Sequence, residues 1–214
     1  MNSIPTHNPL AYLAKDNLMT KDTAMTADFN SKLKITPTAI PEVLIVEPKV
    51  FGDSRGWFAE SFNAQHFAKA TDLNLQFVQD NHSFSRQWTL RGMHYQLKHT
   101  QGKLVRVTAG SVFDAVVDLR KDSSTFGQWV GEILSAENHK QIWVPPGFAH
   151  GFLVLSETAE FLYKTTDYYD PQSEVCLSWC DPTVSIDWPI PLGKQALLNA
   201  KDAVGLSWAQ APKF

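Results

Sequence analysis

Cysteine is scarce in this chain of 214 residues. Only Cys176 and Cys180 are present, four positions apart, and no CxxC pair exists. A zinc ribbon or a thioredoxin-like motif is therefore excluded. A disulfide across so short a loop is unusual, and both residues read as reduced thiols of a cytoplasmic protein. A basic excess is also missing. Lys and Arg number 19 against 22 Asp and Glu, for a net charge of -3. No nucleic-acid-wrapping surface is expected from that balance, although a few local cations could hold a small anion. No apolar run approaches the roughly eighteen residues of a membrane-spanning helix, so no membrane partner is expected. Residues Met1 to Lys15 lack a basic start followed by an apolar stretch, so no secretory signal is read there. These absences together place the protein in the cytoplasm.

What is present suits one folded unit. Hydrophobic residues make up 43% and charged residues 19%, the balance of a globular chain. The length fits one domain. Residues 1–33 are polar with no sustained period and read as an extension, either disordered or packed on a neighbouring subunit. Residues 34–214 form the expected single domain. Val43 to Val46 is a β-branched run, and Phe51 to Gly56 signals a turn. Asn63 to Ala70 reads as a helix, with Asn63 as its N-cap and Phe67 facing inward.

Strand signals dominate the rest. Phe77, Gln79, Asn81 and Ser83 share one face. Leu104 to Thr108 and Val112 to Leu119 flank Ala109-Gly110-Ser111, read as a tight turn. On the second of these strands Phe113, Ala115, Val117 and Leu119 form an apolar face. Val112, Asp114, Val116 and Asp118 mix acid with apolar groups on the other, which suggests a cavity. Ile142 to Val144, Gly151 to Leu155 and Phe161 to Thr166 continue the series, and a short helix is expected around Asn199 to Val204. Helical crossovers are missing, so a sandwich or barrel is favoured over a βαβ fold.

Three segments carry chemistry. Leu90-Arg91-Gly92-Met93-His94-Tyr95-Gln96 precedes Gln101-Gly102-Lys103, which puts a base and cations near one pocket. Alternation places Gly92, His94 and Gln96 on one face. Taken alone, His94 reads more readily as a satisfied core histidine. Pro145-Pro146-Gly147-Phe148-Ala149-His150 resembles the second half-motif of cupin barrels. The paired H-x-H of metal-binding cupins is missing, since Met93-His94-Tyr95 stands there, so no metal is expected. Glu160 to Tyr169 places Tyr163, Thr165, Asp167 and Tyr169 on one parity, where a phenol could donate a proton. Ordinary strand tyrosines explain that segment as well when it is taken alone.

Together with Phe51-Gly52-Asp53-Ser54-Arg55-Gly56-Trp57-Phe58, Phe77-Val78-Gln79-Asp80-Asn81-His82-Ser83, Trp179-Cys180-Asp181-Pro182, Ile186-Asp187-Trp188-Pro189 and Ala200-Lys201-Asp202, these segments resemble the dTDP-4-dehydrorhamnose 3,5-epimerase family over about Ile40 to Asp202. The resemblance implies a mainly β, cupin-like jelly-roll barrel with a few short helices. It implies inversion of carbons 3 and 5 of a dTDP-linked 4-keto-6-deoxy sugar in dTDP-L-rhamnose biosynthesis, as for lipopolysaccharide. No cofactor is implied, because the ketone itself acidifies the neighbouring protons.

By the same resemblance His94 is the base and Asp202 its partner. Tyr163 is the acid and Lys103 the cation near the enolate oxygen. Arg55, Glu60, Gln79, Asn81, Arg91, His150, Glu174 and Lys201 surround the nucleotide sugar, and Tyr169 stacks on thymine. Arg55 and Glu60 would reach the ligand from the other subunit of a homodimer. The chain departs from the family with Met93 in place of Leu, Trp57 in place of Phe, and no Ser in Asn199-Ala200-Lys201-Asp202. Competing expectations are a single-carbon epimerase or ketoisomerase on the same barrel, a non-catalytic sugar-binding barrel, and a metal-dependent dioxygenase.

Overall fold

A computed structural model describes residues 32–214, so most of the expected extension lies outside the described residues. Leu33 already opens the first strand. The strands run β1 (Leu33–Pro37), β2 (Leu44–Pro48), β3 (Val50–Asp53), β4 (Gly56–Ala59), β5 (Gln79–Arg86), β6 (Leu90–Gln96) and β7 (Lys103–Ala109). They continue as β8 (Ser111–Asp118), β9 (Trp129–Ser135), β10 (Gln141–Val144), β11 (Phe148–Val154), β12 (Thr158–Thr165) and β13 (Glu174–Cys176). One helix, α1 (Ala64–Thr71), lies between β4 and β5.

Two antiparallel sheets face each other as a jelly roll. One has the order β1-β2-β10-β7-β12-β5 and the other β13-β6-β11-β8-β9. Between them Val105, Val107, Val112, Val116, Phe152 and Phe161 form a buried core. The rings of Phe152 and Phe161 stack with centroids 3.9 Å apart, which plugs the barrel below the polar residues. Val112, Asp114 and Val116 do face this interior, as the mixed pattern on that strand suggested. The opposite face of β8, with Ala115 and Val117, packs outward under a C-terminal covering of Leu177, Val184, Trp188, Trp208 and Phe214.

The helix forms as expected. Asn63 Oδ1 accepts from the backbone N–H groups of Gln65 and His66, which satisfies two otherwise orphaned donors. Phe67 is buried against Trp143 and Leu104, so α1 covers the outer face of the six-stranded sheet. The turn signal over Phe51 to Gly56 becomes the β3–β4 hairpin.

Three expectations change. Ala109-Gly110-Ser111 is not a hairpin turn, because β7 and β8 belong to different sheets. Gly110 has φ 71, and a Cβ there would lie 2.0 Å from the Thr158 carbonyl oxygen, so the chain can turn the corner between sheets only with glycine. The strand expected from Gly151 starts earlier, at Phe148, which puts His150 on a strand. The helix expected around Asn199 to Val204 is a single 3₁₀ turn over Asp202–Val204. Strands β1, β9 and β13 had no clear signal. In β9, Gly131 interrupts the apolar pattern because a Cβ there would collide with the Phe113 ring.

Candidate active site

Strand β6 supplies two groups to one cavity only because it is irregular. His94 pairs with His150 and Arg91 with Phe152, so three steps along β6 match two along β11. This bulge overturns the simple alternation of Gly92, His94 and Gln96, since it turns Arg91 to the side of His94. Gly92 makes it feasible. Its φ is 134, and a Cβ would lie 2.6 Å from the Cα of Gly151.

The cavity has a volume of about 350 Å³. Its walls include Asn81, Arg91, His94, Lys103, His150, Tyr163, Lys201 and Asp202. A smaller extension shares His94, Lys103 and Tyr163 and adds Tyr169 and Glu174. His94 stands on one sheet and Tyr163 on the other, and the two rings line one space.

His94 Nε2 lies 2.6 Å from Asp202 Oδ1, and Asp202 is buried. With the ring hydrogen on Nε2 donated to the carboxylate, the lone pair resides on Nδ1. The Asn199 side chain fixes Asp202 by accepting its backbone N–H at 2.7 Å. Lys103 Nζ is 3.5 Å from the His94 carbonyl oxygen. Loss of hydration lowers its pKa to about 8, against the pull of Asp114 and Glu174. Burial raises the Tyr163 phenol, with the Glu174 charge adding to the effect, so it stays protonated. Tyr163 is thus a proton donor across the neutral range.

A chain of contacts forms the rim. Lys201 Nζ is 2.7 Å from Glu174 Oε1, and Tyr169 donates its hydroxyl to Glu174 Oε2 at 2.9 Å. Burial alone would raise Glu174, but the bonds from Lys201 and Tyr169 outweigh it and hold the carboxylate below its usual range. The Tyr169 backbone N–H donates to Gln79 Oε1, and Gln79 donates to Asn81 Oδ1. Arg91 Nε donates to Ser85 Oγ at 3.1 Å, leaving the guanidinium at the cavity wall.

Asp114 was not among the expected site residues. It is fully buried and accepts from His150 Nε2 at 2.9 Å. The mixture of acidic and apolar residues on that strand face was the signal. Burial pushes Asp114 upward, and His150 opposes that shift.

Arg55 and Glu60 do not line this cavity. Arg55 sits at the tip of the β3–β4 hairpin, where it pairs with Asp53. Glu60 meets His66 at 2.6 Å and Lys32 at 3.9 Å. Among the described residues, one group brings three metal-ligand atom types together, from His94, Cys176 and Asp202. This trio is independent of the missing H-x-H on which the expectation of no metal rested. Cys176 and Cys180 are unpaired thiols.

The family model described as dTDP-4-dehydrorhamnose 3,5-epimerase matches residues 37–210. The dTDP-4-dehydrorhamnose 3,5-epimerase of Pseudomonas aeruginosa is 57% identical over 182 residues, covering 85% of this chain and 99% of that protein. The dTDP-6-deoxy-D-glucose-3,5-epimerase of Legionella pneumophila, solved with dTDP-4-keto-L-rhamnose, is 55% identical. It superposes with a TM-score of 0.77 over 80% of this chain and 90% of the other. The Bacillus anthracis enzyme, solved with TDP and PPi, is 40% identical with a TM-score of 0.78, over 82% of this chain and 99% of the other. With that match over most of its length and the same barrel, the chain belongs to the dTDP-4-dehydrorhamnose 3,5-epimerase family.

Proposed function

We infer that this protein epimerises dTDP-4-dehydro-6-deoxy-D-glucose at carbons 3 and 5 to dTDP-4-dehydro-L-rhamnose, using the groups of this cavity. The observation that carries the assignment of roles is that His94 and Tyr163 rise from opposing sheets into one space. Inversion next to a ketone needs a base on one face of the sugar and an acid on the other.

His94 Nδ1 takes the proton beside the ketone. The electron pair of the broken C–H bond moves onto the carbonyl oxygen. Asp202 stabilises the imidazolium that forms and fixes which nitrogen stays free. Lys103, poorly hydrated, offers positive charge to the developing enolate oxygen, a contribution of a few kcal/mol on the order of one lost oxyanion donor. Tyr163 then delivers a proton to the opposite face, and the enolate collapses back to the ketone. Once His94 has given its proton to solvent and Tyr163 has regained one from solvent, the same sequence serves the second carbon. Arg91, His150 and Lys201 suit the diphosphate, and Tyr169 beside Gln79 suits a base stacked at the rim.

The site is completed by a second copy of the chain. On the β3–β4 hairpin Trp57 and Phe58 are 64% and 68% exposed. Aromatic rings this bare on a two-stranded projection suit a protein partner. A homodimer would cover them and carry Arg55 into the neighbouring cavity. Among the described residues no helix is long and apolar enough to cross a membrane, and the nucleotide-sugar substrate fits a cytoplasmic location.

The test is turnover of dTDP-4-keto-6-deoxyglucose in deuterated water, read by proton NMR and by coupling to a downstream reductase. Deuterium should enter at both carbons. Incorporation at only one would replace this reading with a single-site epimerase.

A further inference from the structure

Cys176 is the direct cross-strand partner of His94 in the β13–β6 ladder. Side chains so paired share a face, with Cβ atoms about 5 Å apart. Cys176 Sγ accordingly lies 3.9 Å from the same Asp202 oxygen that His94 contacts at 2.6 Å. The imidazole nitrogen, the sulfur and the carboxylate oxygen all fall within 4.8 Å of one another. A second observation is independent of that clustering. Among the described residues Asp202 Oδ2 is the one buried side-chain oxygen or nitrogen without a hydrogen-bond partner, in a side chain only 1% exposed. An ionised carboxylate in that condition has an unmet demand for a donor or a cation.

We propose that His94, Cys176 and Asp202 form an inhibitory site for a thiophilic divalent cation such as Zn²⁺, which shuts the enzyme off by occupying its base. Imidazole, thiolate and carboxylate are the donor set of zinc, whereas Mg²⁺ and Ca²⁺ prefer oxygen alone. Zinc bonds of about 2.0 to 2.3 Å set donor atoms roughly 3 to 4 Å apart. The sulfur–oxygen distance already meets this, and the His94–Asp202 contact need only open. The fourth coordination position would face the cavity and take water. On binding, the thiol releases its proton to solvent and the sulfur lone pair bonds the metal, while the His94 ring hydrogen shifts from Nε2 to Nδ1, so that Nε2 bonds the metal and Nδ1 has no lone pair left for the substrate.

The unligated thiol holds its proton firmly. Burial first, and then the Asp202 charge, push it up to about 11, with Glu174 adding and Lys201 opposing. Cys176 stands outside the proton transfers inferred for His94 and Tyr163.

Loss of activity depends on His94 being the base, as inferred above, whereas metal binding does not, so the two are measured separately. The purified full chain should bind one Zn²⁺ in calorimetry and lose turnover on Zn²⁺ addition. Chelation should restore it, and Mg²⁺ should have no effect. Cys176→Ser should keep basal turnover and weaken both zinc binding and inhibition by roughly tenfold or more, about 1.4 kcal/mol per tenfold. Co²⁺ added to the unaltered protein should give thiolate-to-metal charge-transfer absorption. Equal zinc inhibition of the unaltered chain and Cys176→Ser would overturn the proposal. Absence of the cobalt–thiolate band in the unaltered protein would do so too, even if the variant failed to fold. Zinc binding without inhibition would remove the inhibitory role and count against His94 as the base.

Discussion

The imidazole of His94 and the phenol of Tyr163 face one cavity from opposite walls of the barrel, β6 in one sheet and β12 in the other. A rigid sandwich keeps such groups at a fixed separation without a moving part. This is the arrangement that two-sided proton transfer demands.

Asp202→Asn should keep the fold and remove the charge that favours the imidazolium. Turnover should fall by about 10² to 10⁴, with substrate binding little changed, as when the orienting acid of a base is neutralised. Steady-state kinetics on the variant would show the fall in kcat. Near-normal turnover would remove Asp202 from the mechanism.

Tyr163→Phe separates the two halves of the reaction. Proton removal by His94 should continue, so substrate recovered from deuterated water carries label. Inverted product should form at least about 10²-fold more slowly. Proton NMR distinguishes labelled starting sugar from epimer. Equal loss of exchange and inversion would mean that the phenol is not the acid.

Lys103 sets a pH limb. Its folded-state pKa is depressed to about 8, so the cation is present below that pH and lost above it. Stabilisation of the enolate is lost in the same direction, and kcat/KM should drop as pH rises through about 8. Lys103→Met should be slower and lack this limb. A wild-type profile flat to pH 10 would contradict the role.

Gly92→Ala tests the bulge. The new methyl would press on Gly151 in a conformation that favours glycine, at a cost of about 2 kcal/mol or more. Chemical denaturation should show the loss. Activity should fall too, because Arg91 and His94 cease to share a wall.

Much of this was legible in the sequence, for reasons that differ by region. The Asn63 cap is local, so residue type sufficed, and Phe67 stood out as the large apolar side chain of a short polar helix. Asp114 on an apolar strand pointed to a polar interior, since a buried acid needs a partner. Pairing across sheets was not local. Nothing in Ala109-Gly110-Ser111 says whether the next strand returns beside the last or crosses to the other sheet. The bulge at Gly92 hid in the same way, because an extra residue changes parity without changing composition. Cys176 reads only as a reduced thiol in the sequence because its neighbour, His94, is 82 positions away in the chain and adjacent only in the ladder.

Asp202 belongs to neither sheet. Its segment is tied back by isolated bridges at Thr89–Leu197 and Leu177–Leu206, by the Lys201–Glu174 ion pair and by the contact of Asp202 itself with His94. So few ties open at a smaller free-energy cost than the barrel itself. Warming should therefore silence the enzyme before it melts, and cooling should restore it, since only a tether has come loose while the body of the molecule stays intact.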